Sequence, residues 1–535
     1  MLERSQMIKK LQESFFDLLI IGGGASGAGA ALDAASRGLK VALVEKNDFA
    51  AGTSSRSTKL IHGGVRYLEL AVKQRSREQY QLVKDALRER ATLLKIAPHL
   101  SRPIPLVTPI YSLFGGPYFW TGLKMYDRLA GKRSVGKSKY LSRKKAIKRF
   151  PMLKAKGLKG GVLYYDGQFD DARMNVTLIR TAIDYGATAL NHIEVIGLIK
   201  ENTHLSGAKV KDIISEKNFD IKARVIINAT GPFCDKIRFM DDPQARSILR
   251  ASSGIHIVLD KRFSPPHTGL LIPETEDGRV LFLLPWLGHT LVGTTDNPAN
   301  IEDNPHASEQ DIEYLLRHVV KYFNIPVTRQ DVLSSWSGLR PLVSDPNFAD
   351  TAKLSRDHVI NISPSGLITL TGGKWTTYRK MAEDVINQAI TLGSLTPTHA
   401  CQSENILLKG SQSYSEDYTQ KLVDSFHIDE DIAKHLATSY GTESPQVLQI
   451  GAKQHLQRLS KDYPYIEAEI LYAIHEELAC NAVDILARRM RLAFLNQEVA
   501  KEALPLCLKI LKETFQWSNE QMQEEEKKFL DYLSL

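Results

Sequence analysis

The apolar positions change spacing along the chain, and the changes mark its elements. Asp17-Leu18-Leu19-Ile20-Ile21 is a short, nearly unbroken apolar run, the length of a buried strand. It breaks into Gly22-Gly23-Gly24-Ala25-Ser26-Gly27, then into small residues that suit the start of a helix. Lys40-Val41-Ala42-Leu43-Val44-Glu45 predicts a second strand ending in an acid. Lys73 to Ile96 sets charges against Leu, Val and Ala at helical spacing, and Pro98 closes that helix. Residues 166–186 and 225–231 return to α/β texture, with Ile226-Ile227-Asn228-Ala229-Thr230-Gly231 a buried strand ending in a small polar turn. Residues 250–345 differ. His256-Ile257-Val258-Leu259, Leu281-Phe282-Leu283-Leu284 and Thr290-Leu291-Val292-Gly293 are short strands between turn residues, the texture of an antiparallel sheet. Leu367-Ile368-Thr369-Leu370 predicts another buried strand, followed by Thr371-Gly372-Gly373-Lys374 and a helix from Thr376. From about 400 the chain reads as helical and charged. Val483 to Leu495 predicts one amphipathic helix, with Arg488, Arg489 and Arg491 toward solvent or a domain seam.

Strand, G-x-G-x-x-G, helix, strand and acid form the dinucleotide-binding fingerprint. Gly22 permits the tight turn, Gly24 lets backbone approach a pyrophosphate, and Gly27 lets the helix pack close on the strand. The helix N-terminus offers free N–H groups and the positive end of its dipole to phosphates. Glu45, about twenty residues on, is placed to accept from ribose hydroxyls. Gly52-Thr53-Ser54-Ser55-Arg56-Ser57-Thr58-Lys59 is a hydroxyl-rich loop that supplies neutral donors to phosphate and ribityl oxygens. The fingerprint itself leaves NAD and FAD open.

The 535 residues suffice for several domains, and 43% hydrophobic with 24% charged is a globular balance. The net charge of +8 favours anionic substrates or an acidic membrane surface. No basic block with interleaved aromatics stands out, so nucleic acid is not an expected partner. Cys234, Cys401, Cys480 and Cys507 are far apart and form no C-x-x-C, so no metal site is signalled; they read as reduced thiols of a cytosolic protein. The first fifteen residues lack the apolar core of a signal peptide. Pro103 to Leu123 is uncharged and long enough to cross a bilayer, but Pro103, Pro105, Pro109, Pro117 and Gly115-Gly116 break it. Two readings stay open for it: strand and turn in a substrate domain, or an interfacial surface in which Phe114, Tyr118, Phe119 and Trp120 lie beside Lys124, Arg128, Lys132 and Arg133.

Ile20 to Gly38, Ser57 to Glu69 (STKLIHGGVRYLE) and Gly372 to Ala382 (GGKWTTYRKMA) resemble signatures of the FAD-dependent glycerol-3-phosphate dehydrogenases. Asp170-Asp171-Ala172-Arg173, Asn228 to Pro232, Gly293-Thr294-Thr295-Asp296 and Ser337 to Pro341 follow in that family's order. The resemblance is strong from residue 16 to about 390 and loose beyond. It implies an α/β protein with a Rossmann-type FAD-binding domain at 16–100, continued at about 166–245 and 346–395. An antiparallel-sheet substrate domain at 101–165 and 246–345 and a helical C-terminal domain at 400–535 complete it. FAD is the implied cofactor, contacted by Gly22, Gly23, Gly24, Gly27, Glu45, Thr53, Ser54, Ser55, Ser57, Thr58, Lys59, Leu60, His62, Ala229, Thr230, Gly231, Gly373, Lys374 and Thr376. The implied reaction takes glycerol 3-phosphate to dihydroxyacetone phosphate, with electrons passed to quinone by a protein attached peripherally to the inner face of the cell membrane.

A phosphate dianion calls for fixed cations. By resemblance Arg66, Tyr67, Arg340 and Lys374 line the substrate cavity, with Thr294 a neutral contact. His256 and His62 are the candidate proton acceptors, and His256, in the family's H-I-V segment by the substrate, is preferred to His62 by the flavin. Ser252-Ser253 stands where many relatives carry a basic residue, which bears on the charge around His256. The rival readings are an oxidase of the same substrate, making peroxide from oxygen, an amine or amino-acid oxidase, and a non-catalytic flavin protein. The oligomeric state, a homodimer included, is left open.

Overall fold

The computed structural model describes the chain apart from residues 1–2, 65–67, 69–75, 113–114, 274, 277, 344–357, 452–454 and 535, and apart from the side chains of 78 and 115–119. Two sheets organise it. The first has eight strands, in the order His358–Ile362, Leu367–Gly372, Asn218–Asn228, Phe15–Ile21, Val41–Val44, Thr188–Leu190, extended by the antiparallel pair Ile193–Glu201 and His204–Asp212. Its centre is parallel: Leu18 faces Val41 on one side and Val225 on the other. Leu18, Leu19, Ile20, Val41, Ala42 and Leu43 are fully buried, as a parallel strand covered on both faces requires. Helices Ala25–Ser36, Asp171–Asp184 and Tyr378–Gly393 join its core.

The second sheet has ten strands, from residues 60–61, 101–169 and 249–343. Most pairings are antiparallel, as the short strands predict, but Gly269–Ile272 runs parallel to Ser101–Ile110. Alternation sorts its faces. Ile255, Ile257 and Leu259 bury against helices Arg143–Arg149 and Glu309–Tyr322. Val258 and Trp336 turn the other way, into a core shared with the C-terminal helices. His256 has the parity of Val258, so the pleat delivers it to that second face.

The 103–123 segment proves to be strand followed by helix rather than strand and turn. Ser101–Ile110 pairs along its whole length with Gly160–Phe169. Pro103, Pro105 and Pro109 share one parity, so their missing N–H groups fall along one edge of the strand. The helix Gly115–Ala130 follows. Trp120 and Met125 are exposed on it, with the Lys124 ammonium 5.8 Å from the Trp120 ring; Phe114 lies outside the described residues. No helix among the described residues is long and apolar enough to cross a membrane.

The expected single helix over 483–495 is broken. Val483–Arg489 is wound as a π-helix, Arg491 takes a left-handed conformation (φ 65°), and a short helix Leu492–Leu495 follows. Arg488, Arg489 and Arg491 are buried at a seam rather than turned to solvent.

Candidate functional site

Residues just past the carboxyl ends of four neighbouring strands meet in a cleft: Gly22 and Gly24, Glu45, Ala229 to Gly231, and Gly373-Lys374. This is where an open α/β sheet binds its ligand. Gly22 takes φ +111°, which a side chain resists. A Cβ on Gly27 would fall 3.0 Å from the Gly22 carbonyl carbon and closer still to its oxygen, so helix and turn touch as the fingerprint demands. Helix Ala25–Ser36 points its N-terminus into the cleft, and Ser54 Oγ accepts from its first amide, Ala25 N–H, at 2.9 Å. Glu45 accepts from Gly23 N–H (2.7 Å) and Asn47 N–H (2.9 Å); burial raises its pKa against those bonds. A glycine cradle, a helix dipole and a carboxylate at the second strand fit a pyrophosphate and a ribose. Thr53 also lines the cleft, its hydroxyl donating to Leu339 O at 2.5 Å.

Several cleft residues escaped the sequence. Asn175 Nδ2, from helix Asp171–Asp184, donates to Gly23 O at 2.8 Å and braces the glycine turn. Ile193 and Val195 form an apolar wall; the fold rule that ligands sit past strand ends, applied to Thr188–Leu190, would have found them. Trp375 lines the cleft and donates from its indole to Ser54 O at 2.9 Å, tying the two cofactor turns together. His62 joins the same region: its backbone N–H donates to Thr376 Oγ1 at 3.3 Å.

The loop beneath the expected flavin is built differently from the expectation. Lys59 is fully buried, and its ammonium is taken by Asp171 (2.6 Å) and Ser55 O (2.8 Å), so that side chain braces the loop instead of reaching a cofactor. Burial brings its pKa down to about 8, against the pull of Asp171. Leu60 turns into the second core, and the buried Ser55 donates to Gly52 O at 3.4 Å. Ser57 Oγ accepts from Lys59 N–H at 3.0 Å.

Thr58 Oγ1 lies 2.9 Å from His256 Nε2, which joins the loop to the second sheet. The His256 ring stacks on Trp336 (centroids 5.6 Å apart, planes at 17°) and is 2% exposed. Burial first, then the cations of Lys59 and Arg340, hold its pKa well below the ordinary 6.5, so it is a neutral imidazole. Arg340 faces Ser252 across the sheet and donates to Thr294 Oγ1 (3.1 Å), Thr295 O (2.9 Å) and Ser253 O, with Asp296 at 3.2 Å. The cation lacking at 252–253 is thus supplied by the neighbouring strand. Gly254 makes room for it, since a Cβ there would lie 2.6 Å from the guanidinium carbon. Pro341, the chain neighbour of Arg340, lines the dinucleotide cleft, and His256 reaches the loop whose Thr53 and Ser54 line it through Thr58. Arg66 and Tyr67 lie outside the described residues.

One further group has metal-ligand geometry among the described residues: His192, Cys480 and Asp484. Asp484 already accepts from His192 (2.8 Å), Cys480 N–H (2.9 Å) and Arg488 (2.8 Å), so protein donors fill it.

A glycine cradle past parallel strand ends, with a second sheet that sets a buried imidazole against the loop lining that cradle, defines a dinucleotide-dependent oxidoreductase. Residues 17–379 match the family described as FAD dependent oxidoreductase, and 401–522 match the C-terminal domain of alpha-glycerophosphate oxidase. The mitochondrial glycerol-3-phosphate dehydrogenase of Macaca fascicularis is 47% identical, the match covering 99% of this chain and 75% of that protein. A probable counterpart from Caenorhabditis elegans is 48% identical over 96% and 73%. The crystal structure of the Bacillus halodurans glycerol-3-phosphate dehydrogenase complexed with FAD superposes with a TM-score of 0.81 at 29% identity, over 99% of this chain and 97% of that one. The chain belongs to the FAD-dependent glycerol-3-phosphate dehydrogenases.

Proposed function

We propose that the protein oxidises sn-glycerol 3-phosphate at C2 to dihydroxyacetone phosphate and passes the electrons to a membrane quinone. The observation that carries this reading is geometric: His256 Nε2 lies 2.9 Å from Thr58 Oγ1 in the loop that lines the dinucleotide cleft, and Arg340, on the neighbouring strand, donates to Thr294 Oγ1 at 3.1 Å. Bound FAD supplies a two-electron acceptor for the C2 hydride. His256 Nε2, shared with the Thr58 hydroxyl, takes the C2 hydroxyl proton; its neutral state leaves it able to accept. Arg340 holds the phosphate, exchanging its Asp296 partner for a dianion whose oxygens suit the guanidinium fork. Lys374, at the cleft, adds a second cation. The exposed Trp120 and Met125, followed by Lys124, Arg128, Lys132 and Arg133, support a peripheral attachment to the inner face of the cell membrane.

The test uses the purified flavin-loaded protein. Anaerobic glycerol 3-phosphate should bleach the flavin band, and a soluble quinone should restore it. Reoxidation by oxygen with stoichiometric peroxide would favour the oxidase reading, which the match of 401–522 keeps as the rival. No bleaching would withdraw both. The same preparation should sediment with anionic vesicles at low salt and release as salt rises, because exposed charges are screened within about 10 Å at 0.1 M; sedimentation indifferent to salt would remove the electrostatic part of the attachment.

A further inference from the structure

His256 is held by the Thr58 hydroxyl and by the face of Trp336. Thr58 sits in the loop that Lys59 anchors by donating to Ser55 O at 2.8 Å. Trp336 and its neighbour Trp286 leave their indole N–H groups without a hydrogen-bond partner among the described residues, so packing and the Lys59 ammonium, 5.5 and 5.3 Å from their ring centroids, set those rings. Phe494 stands edge-on to Trp336 at 4.9 Å. Arg491, from the C-terminal domain, meets both supports. Its Nη2 donates to Ser55 O at 2.6 Å, the oxygen that also accepts from Lys59, and lies 3.5 Å from Asp171 Oδ1. Its guanidinium lies 4.3 Å from the Phe494 ring centroid and 5.6 Å from that of Trp286. Arg491 is 1% exposed, and its left-handed backbone, rare for a side chain of this size, aims it inward from the end of the π-helical turn.

Resting on the reading of His256 given above, we propose that Arg491 is a positioning residue for the reaction: one guanidinium clamps the loop that carries Thr58 and the aromatic stack that carries His256, so the C-terminal domain takes part in setting the catalytic geometry. A planar guanidinium does both at once. Lysine keeps a donor for Ser55 O but not the flat face against Phe494 and Trp286.

The experiment compares FAD-loaded parent, Arg491→Met and Arg491→Lys. In Arg491→Met, Asp171 keeps Lys59 as its partner, so no buried carboxylate is stranded. The limiting rate of flavin reduction by glycerol 3-phosphate should fall about 10- to 100-fold, the scale of a misplacement near 1 Å. KM should stay within about twofold, and Arg491→Lys should recover part of the rate. A folded, FAD-loaded Arg491→Met that reduces its flavin at the parent rate overturns the proposal. So does equal decay of rate, KM and FAD content, which would mark a purely structural role. If Arg491→Met does not fold, Phe494→Leu breaks the aromatic arm alone; it should show the same loss of rate at constant KM, and a parent rate there is equally fatal. Hydrogen exchange over 53–60 and 254–258 in the FAD-loaded protein reads the clamp without substrate. It should quicken in Arg491→Met in those two segments, and unchanged exchange overturns the clamp. A parent flavin that glycerol 3-phosphate does not bleach would instead withdraw the functional reading and leave exchange to decide the clamp.

Discussion

Replacing Gly27 by alanine adds one methyl group at the tightest point of the cofactor turn. Built on the native backbone, the new carbon lies 3.0 Å from the Gly22 carbonyl carbon, closer to its oxygen, and 3.5 Å from Ile20 Cγ2. The last contact is ordinary, but the first two are not, and the atoms opposed are backbone. No side chain can rotate away, so either the Gly22 peptide turns or helix Ala25–Ser36 lifts from the strand. Overpacking of this kind costs roughly 1–3 kcal/mol where side chains can yield, and more where they cannot. Both escapes also move the helix N-terminus relative to the phosphates it should hold. If 1.5–3 kcal/mol of the strain is relieved only in the FAD-free protein, the dissociation constant for FAD rises roughly 10- to 150-fold, at 1.4 kcal/mol per decade. The assay is flavin content of the purified protein from its visible and ultraviolet absorbance, then titration of the apoprotein with FAD. Gly122→Ala is the control: Gly122 lies in helix Gly115–Ala130 and a Cβ there meets nothing within 4 Å. It should keep its flavin and gain a little helix stability. A Gly27→Ala protein that purifies with a full complement of FAD at parent affinity would refute the steric argument.

Arg340→Ala should raise KM for glycerol 3-phosphate strongly, since losing the charged partner of a buried phosphate costs roughly 2–5 kcal/mol; steady-state kinetics showing unchanged kcat/KM would dismiss Arg340 as the phosphate ligand. Glu525, which accepts from Ala482 N–H at 2.9 Å, has its pKa pushed by burial from 4.5 up to about 7. The folded state therefore binds a proton that the unfolded chain has released, and stability falls as pH rises from about 4.5 to 7, by on the order of 3 kcal/mol. Glu525→Gln should match the parent in melting temperature at pH 4.5 and exceed it at pH 8; equal curves at both pH values would remove the buried-acid account.

The glycine turn was legible because its demands are local. Gly22 answers to its own positive φ and Gly27 to Gly22 and Ile20, and the apolar runs on either side declare strands regardless of what packs on them. The short strands of the second sheet were legible for the same reason, down to the His256 segment. What the sequence does not show are partners remote in the chain. Lys59 reads as a cofactor contact because it closes a hydroxyl-rich loop, and the partner that takes its ammonium, Asp171, is 112 residues away. Glu45 and Ser54 were read as ligand contacts; the structure shows that they also bind the amides of the turn itself. In 103–123 the strand reading holds for Ser101–Ile110, paired with Gly160–Phe169, and what the prolines and glycines hid was the helix Gly115–Ala130.

The C-terminal arginines carry that point furthest. The helical pattern leaves solvent and a domain seam both open for them, because charge is costly to bury without partners. The partners exist, but at distances in sequence that no pattern spans: Arg489 binds both oxygens of Asp48, 441 residues away, at 2.6 and 2.9 Å, and Arg491 reaches Ser55 O across 436. Asp48 and Ser55 flank residues 50–54, which line the cleft, and Asn191 donates to Asp48 while also donating to Leu478 O. Buried pairs of this kind add little net stability over apolar packing, but breaking one by removing a single partner costs about 3–5 kcal/mol. They therefore fix register far more than they add strength. A seam built so makes the position of the helical domain and the shape of the cofactor loop a single variable, and a domain that held only itself would have no need of arginines there.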